Sequence, residues 1–510
     1  MVNTKMNNHK LLILLFSIFT NFLYAEHEVS KIKECEFWKP CFPEHEYVRQ
    51  NKISYSQLKT DIEYFCYYLE TAYAGYESME ENGFCTEKFS DFFLEKYAGF
   101  DFIDTKKLMN EYSEYMEKSV ADGHFSISRE ADSNAKYVAP KNKILFAETF
   151  LEKRDGKFYV SETKSEFIKA NDEFTDSNEK LFFYPAKGKN IYRLGIFSAS
   201  KTDAAEFSFN NRTVRIPVFD DGIISADFRL KYHELETEKS GYASISSFLL
   251  PEKTSARRKG SEIIFKKFVS LSERWISKEN IIIDLRSNNG GEINYIEAFL
   301  YFLYFGNYND FNEKQLKKID DFFETNFFSK TIYDSPAINF AKLNFLNEYK
   351  VPNSKYHIKT AKQRLKNHKK NPQVKQWKQT ANNLMEEKPK FKGKLIFLID
   401  RNSVSAAELF VLSAKLLFGQ KNVLAIGENS YGSLDYGEIY NYLLPESGIA
   451  VSLASERMDF AGNSSQWHGD GLGIFPDYWS TGEDLNETIF LATNDEAMKE
   501  KLSKIGERLL

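Results

Sequence analysis

The sequence has 510 residues, a hydrophobic content of 42% and a formal net charge of −5. These values are typical of a soluble globular protein that is long enough for several structural units. The small charge gives no reason to expect nucleic acid or an anionic membrane surface as a partner.

The N-terminal residues have the pattern of a secretory signal. Lys5 and Lys10 precede an apolar stretch from Leu11 to Leu23, and a Leu-Tyr-Ala cleavage motif ends at Ala25. An N-terminal anchor is the alternative, but a membrane span needs about 20 apolar residues. We therefore predict a signal peptide over residues 1–25. The mature protein is then exported, either periplasmic or secreted, with no membrane span after cleavage.

Four cysteines, Cys35, Cys41, Cys66 and Cys85, lie early in the exported part. An even number of cysteines in an exported chain favours disulfides. Pairing Cys35 with Cys41 and Cys66 with Cys85 is the simplest of three possibilities. A zinc site is the rival, but the spacing matches no familiar zinc pattern. We therefore predict disulfides and no metal site.

Hydrophobic periodicity changes along the next part of the chain. Apolar residues at three- and four-residue steps, such as Leu58, Ile62 and Phe65, predict a helical N-terminal domain over residues 26–122. Short β-rich runs punctuated by Gly, Asn and Asp then predict a β-rich region over residues 123–254. No clear PDZ signature is visible there, and the presence of a PDZ-like module stays open.

From residue 255 onward, strands and helices alternate. Apolar strands at Asn280–Leu285 and Lys394–Ile399 each lead through a turn into a helical pattern. This alternation predicts a sheet covered by helices over residues 255–305 and 393–482. The predicted fold class is therefore α+β or α/β.

Two further segments complete the predicted organisation. Residues 306–392 form an insertion that is rich in lysine, which we interpret as a solvated helical lid or spacer. A basic surface for acidic partners is the alternative interpretation. Residues 483–510 are predicted to form a C-terminal helical tail.

Ser405 is the first candidate for chemistry because it lies where a predicted strand gives way to a helix. Unpaired backbone N–H groups and the helix dipole favour developing negative charge there, and a serine can attack a carbonyl if a base takes its proton. However, Ser405 and Glu408 also fit a Ser-x-x-Glu capping box that only starts a helix. The residues alone leave both interpretations open.

Two other segments supply a possible base and acid. His124, one of 8 histidines, follows Asp122-Gly123, and histidine is suited to general-base chemistry near neutral pH. Asp470 lies between glycines and could orient His124 as the third member of a triad. Each has an ordinary alternative, because isolated histidines are commonly structural and aspartate is common in turns.

The double glycine Gly290-Gly291 allows a close backbone approach. Its N–H groups could face a substrate carbonyl as part of an oxyanion hole, or the pair could simply form a sharp turn. Asp284 and Arg286 are expected to brace this turn rather than to react.

Together, these segments resemble peptidase family S41, the C-terminal-processing or tail-specific proteases. Asp-Leu-Arg-x-Asn-x-Gly-Gly at 284–291 is close to a family hallmark. Asn-x-Val-Ser-Ala-Ala-Glu at 402–408, Gly-Glu-Asn-Ser-Tyr-Gly at 427–432 and Gly-x-Gly-Ile-x-Pro-Asp at 471–477 follow in the family's order. The resemblance covers about residues 260–477, interrupted by the insertion, and includes the Asp-Gly-His segment.

The resemblance implies a ClpP/crotonase-like mixed sheet with flanking helices. It also implies hydrolysis of peptide bonds through an acyl-enzyme, without a cofactor. By position in the motif, the nucleophile is Ser405, and Ser403 is the less favoured serine. The resemblance places the oxyanion donors on the backbone of Ala406 and of Gly290 or Gly291.

One position departs from many bacterial members of the family. These use a serine–lysine dyad, and the place of the lysine is taken here by Ser433. The sequence is more similar to the tricorn-like branch, which uses Ser, His and an acid. That similarity assigns the base to His124 and the acid to Asp470, with Asp435 as the reserve.

The predicted function is therefore an exported serine-type endopeptidase that cleaves a protein or peptide substrate through an acyl-enzyme on Ser405. A catalytically inactive protein that binds peptides or other ligands on the same fold is the alternative. The missing lysine motivates this alternative, whereas the presence of both Ser405 and His124 argues against it.

Overall fold

The computed structural model describes residues 50–129, 136–137, 142–220, 232–249, 255–307, 311–333, 359, 373–376, 388–460 and 466–509. The predicted signal peptide, Cys35, Cys41 and most of the lysine-rich insertion lie outside these residues. Within the described ranges, no helix is both long enough and apolar enough to cross a membrane.

Helices dominate the N-terminal part. The first begins at a capping box in which Ser54 Oγ accepts from the Gln57 N–H at 3.3 Å and Gln57 Oε1 accepts from the Ser54 N–H at 2.9 Å. The elements are β1 (Lys52–Ile53), α1 (Tyr55–Ala72), α2 (Tyr76–Glu81), α3 (Thr86–Lys96), β2 (Ile103–Asp104) and α4 (Thr105–Met116). The periodic residues Leu58, Ile62 and Phe65 are buried along α1.

The predicted Cys66–Cys85 disulfide is not present in the structure. Both residues are free thiols, Cys66 on α1 and Cys85 at the start of α3. The Cys66 thiol donates instead to the Thr86 carbonyl at 3.9 Å.

The middle part is antiparallel. Its sheet has the strand order β6-β5-β8-β7, and β9 pairs with β10 as a separate hairpin. The strands from the start of this part are β3 (Ser126–Arg129), β4 (Lys136–Tyr137), β5 (Lys143–Arg154), β6 (Lys157–Thr163), β7 (Leu181–Phe183), β8 (Ile191–Ser198), β9 (Ala204–Phe209) and β10 (Arg212–Pro217). β3 and β4 belong to a different sheet, described below.

A six-stranded sheet carries the motifs of the second half of the chain. Its order is β11-β12-β13-β16-β17-β20, with β11 antiparallel to β12 and the remaining neighbours parallel. The strands are β11 (His233–Glu236), β12 (Ser240–Ser244), β13 (Asn280–Asp284), β16 (Lys394–Ile399), β17 (Val423–Gly427) and β20 (Tyr478–Trp479).

Helices cover both faces of this sheet, as a parallel sheet requires. Ile281 and Ile283 pack into one core cluster, while Ile282 between them packs into another. The first face is covered by α5 (Ser255–Trp275), α6 (Asn294–Phe305) and α8 (Ala406–Phe418), and the second by α9 (Leu485–Thr493) and α10 (Glu496–Leu509). This mixture of helices and sheet agrees with the predicted fold class.

Two predicted boundaries need correction. The sequence predicts that the β-rich region ends at residue 254, but β11 and β12 belong to the six-stranded sheet. β12 pairs in parallel with β13, and α5 is the crossover between them. The segment 483–510 is also more than a tail, because its helices cover one face of the same sheet.

A second sheet joins distant parts of the chain. Its order is β15-β14-β19-β3-β4, and β18 also pairs with β19. The new elements are α7 (Glu313–Phe327), β14 (Phe328–Tyr333), β15 (Gln373–Gln376), β18 (Tyr436–Leu443) and β19 (Ile449–Phe460). The insertion therefore contributes the strands β14 and β15 as well as the helix α7, so the predicted helical lid or spacer describes it only in part. The N-terminal helices pack on this sheet, with the Tyr68 and Tyr442 ring centroids 5.0 Å apart.

Candidate active site

Ser405 occupies the turn between β16 and α8 with an unusual backbone conformation. Its φ is 57° and its ψ is −114°, whereas an ordinary N-cap residue has extended backbone angles. A residue with a β-carbon is strained in this region, and such strain persists only where surrounding contacts enforce it. The backbone of Ser405 therefore differs from that of an ordinary helix N-cap.

Glu408 is the group that fixes this turn. Its buried carboxylate accepts hydrogen bonds from the Ser405 N–H at 2.8 Å, Ser430 Oγ at 2.5 Å, the Gly432 N–H at 2.7 Å and the Ser433 N–H at 3.0 Å. Burial outweighs these donors and raises the pKa of Glu408 to about 7. The capping motif indicated the Ser405 contact, but nothing local in the sequence indicated the contacts to residues 430–433.

Gly290 lies directly against the serine turn. Its φ is 77°, and a β-carbon at this position would be 3.0 Å from Ser405 Cβ and 3.2 Å from the Ala406 nitrogen. The Gly290 N–H donates to Asn288 Oδ1 at 2.9 Å, so it is already occupied. Among the described residues, the N–H groups of Gly291 and Ala406 have no hydrogen-bond partner. Of the three predicted oxyanion donors, these two are therefore available.

Asp284 and Arg286, the residues expected to brace the glycine turn, form an ion pair at the end of β13. Arg286 donates to both carboxylate oxygens of Asp284, at 2.9 and 2.6 Å, and the Tyr242 hydroxyl donates to the same carboxylate at 2.8 Å. Both charged groups are thus paired with each other at the end of β13.

Ser403, the less favoured serine, has a structural role. Its side chain is fully buried. The hydroxyl donates to the Leu285 carbonyl at 2.8 Å and accepts from the Asp400 N–H at 3.0 Å. A hydroxyl committed to these contacts cannot approach a substrate.

The His124 ring is mostly buried, with 14% of its side chain exposed. Nδ1 lies 3.0 Å from Ser433 Oγ. Asp122 Oδ1 is 3.8 Å from the same nitrogen and accepts the His124 backbone N–H at 2.7 Å. Burial lowers the pKa of His124 to about 4, so the ring is neutral at neutral pH.

The structure does not bring either predicted acid to the His124 ring by a hydrogen bond. The Asp470 carboxylate accepts from the backbone N–H groups of Gly123 at 3.0 Å and of Leu434 and Asp435 at 2.9 Å each. Asp435 accepts from Trp467 Nε1 at 2.7 Å and from the Asp470 N–H at 3.2 Å. Asp470 therefore holds the chain on both sides of the site, a role different from the direct contact that we predicted.

The carboxyl groups of Asp122, Asp435 and Asp470 lie close together. Burial, with Asp435 and Asp122 nearby, raises the pKa of Asp470 well above its usual range. Within the described ranges, no three or more His, Cys, Asp or Glu residues are arranged to hold a metal ion.

Comparison with known proteins finds a family match for the second half of the chain. Residues 239–479 match the model of peptidase family S41. The part of the chain that contains Ser405 is therefore similar to this family of peptidases, and this similarity supports a serine protease. No curated protein matches the chain.

Several solved structures are similar to this chain. Mature CPAF complexed with lactacystin is 14% identical with a TM-score of 0.39, covering 89% of this chain and 99% of that chain. The photosystem II D1 C-terminal processing protease is 13% identical with a TM-score of 0.31, covering 84% and 94%. A candidate peptidase from Parabacteroides merdae is 14% identical with a TM-score of 0.34, covering 85% and 93%.

Proposed function

We propose that this protein is an exported serine-type endopeptidase that hydrolyses peptide bonds through an acyl-enzyme on Ser405. The observation that carries the proposal is the strained backbone of Ser405 at the N-terminus of α8, inside the S41 region. A nucleophile on a strained strand-to-helix turn presents its hydroxyl to substrate, next to unpaired helix N–H groups.

In the proposed reaction, His124 removes the proton from Ser405 Oγ, which attacks the substrate carbonyl. The N–H groups of Gly291 and Ala406 stabilise the oxyanion. His124 then protonates the leaving amine, and water releases the acyl group from Ser405. Because burial keeps His124 neutral at neutral pH, the ring is in the form that can accept a proton.

Asp470 is the third member of the proposed triad, and its contribution is positional. Its carboxylate holds the backbone of Gly123, which precedes the base, and of Leu434, which follows Ser433. Asp470 thus sets the distance between the segment carrying His124 and the loop beside Ser405, in place of a direct bond to the ring.

The proposed substrate is a protein or peptide, which is the class that a peptidase family implies. The proposed location is outside the cytoplasm, periplasmic or secreted, and the support for it is the signal pattern of residues 1–25. Fractionation of the producing cells, followed by N-terminal sequencing of the mature chain, tests this part directly. A chain that retains Met1 in the cytosolic fraction would overturn it.

The experiment for the mechanism is labelling of the purified protein with a fluorophosphonate probe. We expect labelling of the wild type and its loss in Ser405→Ala and His124→Ala. Ser413→Ala is the matched control because Ser413 is another serine of α8, and its labelling should equal that of the wild type. Circular dichroism establishes that each variant is folded.

Either failure of this experiment has a clear meaning. If Ser405→Ala is still labelled at the wild-type rate, Ser405 is not the nucleophile. If the folded wild type is not labelled, the catalytically inactive ligand-binding protein replaces the enzyme as the better hypothesis. The observation that favours this second function is Ser433, which stands where a dyad enzyme has lysine.

A further inference from the structure

We infer that the hydroxyl of Ser433 positions His124, by accepting a hydrogen bond from Nδ1–H and so directing Nε2 towards the nucleophile. The catalytic part of this inference rests on the proposed serine peptidase, whereas the hydrogen bond itself does not. Ser433 would be a positioning residue, since it acts through His124 and need not touch substrate.

The first support is the rigidity with which Ser433 is held. Its side chain is fully buried, and its N–H donates to Glu408 Oε2 at 3.0 Å. Glu408 Oε2 also accepts the N–H of Ser405 at 2.8 Å. A single carboxylate oxygen therefore fixes the backbone of both the nucleophile and the residue that contacts the base.

The second support is the close approach of the two segments. A β-carbon at Gly123 would lie 2.8 Å from Ser433 Oγ and 3.2 Å from Ser433 Cβ. Only glycine at this position lets the His124 segment pack directly on Ser433. Asp470 ties the same segments together through the N–H groups of Gly123 and Leu434.

The third support is that, within the described residues, no neighbouring carboxylate hydrogen-bonds the ring. Asp122 Oδ1 is 3.8 Å from Nδ1, which is too long for a hydrogen bond, and it accepts the His124 backbone N–H. The Asp470 carboxylate accepts three backbone N–H groups. Within the described part of the chain, Ser433 Oγ at 3.0 Å is the hydrogen-bond partner of the ring.

This arrangement has a chemical consequence for the base. A neutral imidazole carries one proton, and the partner of one nitrogen decides which nitrogen keeps it. If Ser433 accepts from Nδ1–H, Nε2 has a free lone pair that can take the Ser405 proton. A hydroxyl orients the ring as a carboxylate would, but it supplies no negative charge to stabilise the imidazolium.

The test is the tautomer of His124, measured by two-bond proton–nitrogen correlation on protein labelled with ¹⁵N-histidine. The signal is assigned by its absence in His124→Ala. We expect Nδ1 to carry the proton in the wild type at neutral pH, a mixture of tautomers in Ser433→Ala, and restoration of the Nδ1–H form in Ser433→Thr. A wild-type ring protonated on Nε2 would overturn the inference, as would an unchanged tautomer in Ser433→Ala.

Ser430→Ala is the matched control for this measurement. Ser430 is a buried serine of the same loop, and its hydroxyl also contacts Glu408, at 2.5 Å from Oε1. Because its hydroxyl does not contact the ring, the His124 tautomer should be the same as in the wild type. A tautomer change in Ser430→Ala as large as that in Ser433→Ala would show a loop effect and would overturn a specific role for the Ser433 hydroxyl.

The rate of fluorophosphonate labelling then tests the catalytic consequence. Loss of one neutral hydrogen bond should slow labelling of Ser433→Ala by about tenfold, and Ser433→Thr should recover most of this rate. An unchanged rate in Ser433→Ala, with labelling of the wild type intact, contradicts the positioning role. Absence of wild-type labelling contradicts the proposed hydrolysis instead, and the tautomer measurement still decides the hydrogen bond.

Discussion

The backbone of Ser405 is the most informative single feature at the residue scale. Its φ of 57° is one that glycine adopts readily and that serine adopts at a cost. The glycine turn at Gly290 and the Glu408 carboxylate enforce this conformation from two sides. Strain of this kind implies that the Ser405 hydroxyl has a function that outweighs the stability lost at the start of α8.

A pair of substitutions at this position separates strain from chemistry. Ser405→Gly should be more stable than Ser405→Ala by about 1 kcal/mol, since glycine relieves the positive φ while its greater unfolded-state entropy offsets part of the gain. Urea denaturation of the two variants measures this difference, and neither variant should be labelled by the probe. Equal stability of the two would show that the turn is not strained.

The pH dependence of labelling follows from the environment of His124. Burial lowers the pKa of this ring to about 4, compared with an ordinary value of 6.5. The neutral base should therefore persist in acid, and the labelling rate should fall only as the pH drops through about 4. A pH–rate profile of labelling tests this prediction, and a midpoint near 6.5 would contradict it.

The lowered pKa of His124 keeps the base neutral in acid, but it makes the folded protein less stable there. Because the pKa of His124 is lower in the folded state, the unfolded chain binds a proton first as the pH falls. The contribution of His124 to the free energy of unfolding is therefore lost between about pH 6.5 and pH 4. Labelling at low pH must accordingly be measured over times at which the protein is still folded.

At the scale of elements, the Pro-Asp that ends the S41 motif has a structural explanation. Asp477 Oδ2 accepts from Lys415 Nζ at 2.6 Å and from the Ala425 N–H at 2.6 Å. This contact ties α8, the helix that follows Ser405, to the neighbouring strand β17. The Lys415 side chain is almost completely buried, whereas 23% of the Asp477 side chain is exposed.

Removing both partners of this ion pair should cost less than the sum of the costs of removing each alone. Lys415→Met should lower the free energy of unfolding by about 2 kcal/mol, less than for a fully buried pair because water reaches Asp477. Lys415→Met combined with Asp477→Asn should lose less than the sum of the two single variants, since no unpaired charge remains. Urea denaturation of the four proteins measures the coupling, and strict additivity would contradict it.

The sequence predicted the elements that carry the motifs better than it predicted their partners. The apolar strands β13 and β16 and the helix after Ser405 were predictable because their hydrophobic patterns are local. The contact of Ser433 with His124 was not, because it joins residues 309 positions apart and neither residue type requires the other. The contacts of Asp470 were equally hidden, because its carboxylate accepts the backbone N–H groups of Gly123 and Leu434, which lie 347 and 36 positions away.

At the scale of the whole molecule, the order of segments along the chain does not predict which domain a strand belongs to. The six-stranded sheet is assembled from segments that are far apart in the sequence. β12 lies in what the local pattern predicts as a β-rich region, yet it pairs in parallel with β13 through the crossover helix α5. Gly241 in β12 permits this packing, because a β-carbon there would overlap the Trp275 ring of α5. The sequence of a short strand does not indicate which strand it pairs with, and the six-stranded sheet therefore begins earlier in the chain than the predicted boundary at residue 254.

The C-terminal helix α9 packs on the second face of this sheet, and substitutions in it measure how much this packing stabilises the fold. Ile489 of α9 is 1% exposed and packs in the core cluster of the sheet's second face, whereas Leu491 on the same helix is 48% exposed. Ile489→Ala should therefore lower the free energy of unfolding by about 3 kcal/mol, through lost burial and the cavity that remains. Leu491→Ala, the matched control, should change it by about 0.5 kcal/mol or less. Urea denaturation of both variants measures the difference. Equal losses would mean that α9 does not cover the sheet as described, whereas the expected contrast would make α9 an integral layer over the six-stranded sheet.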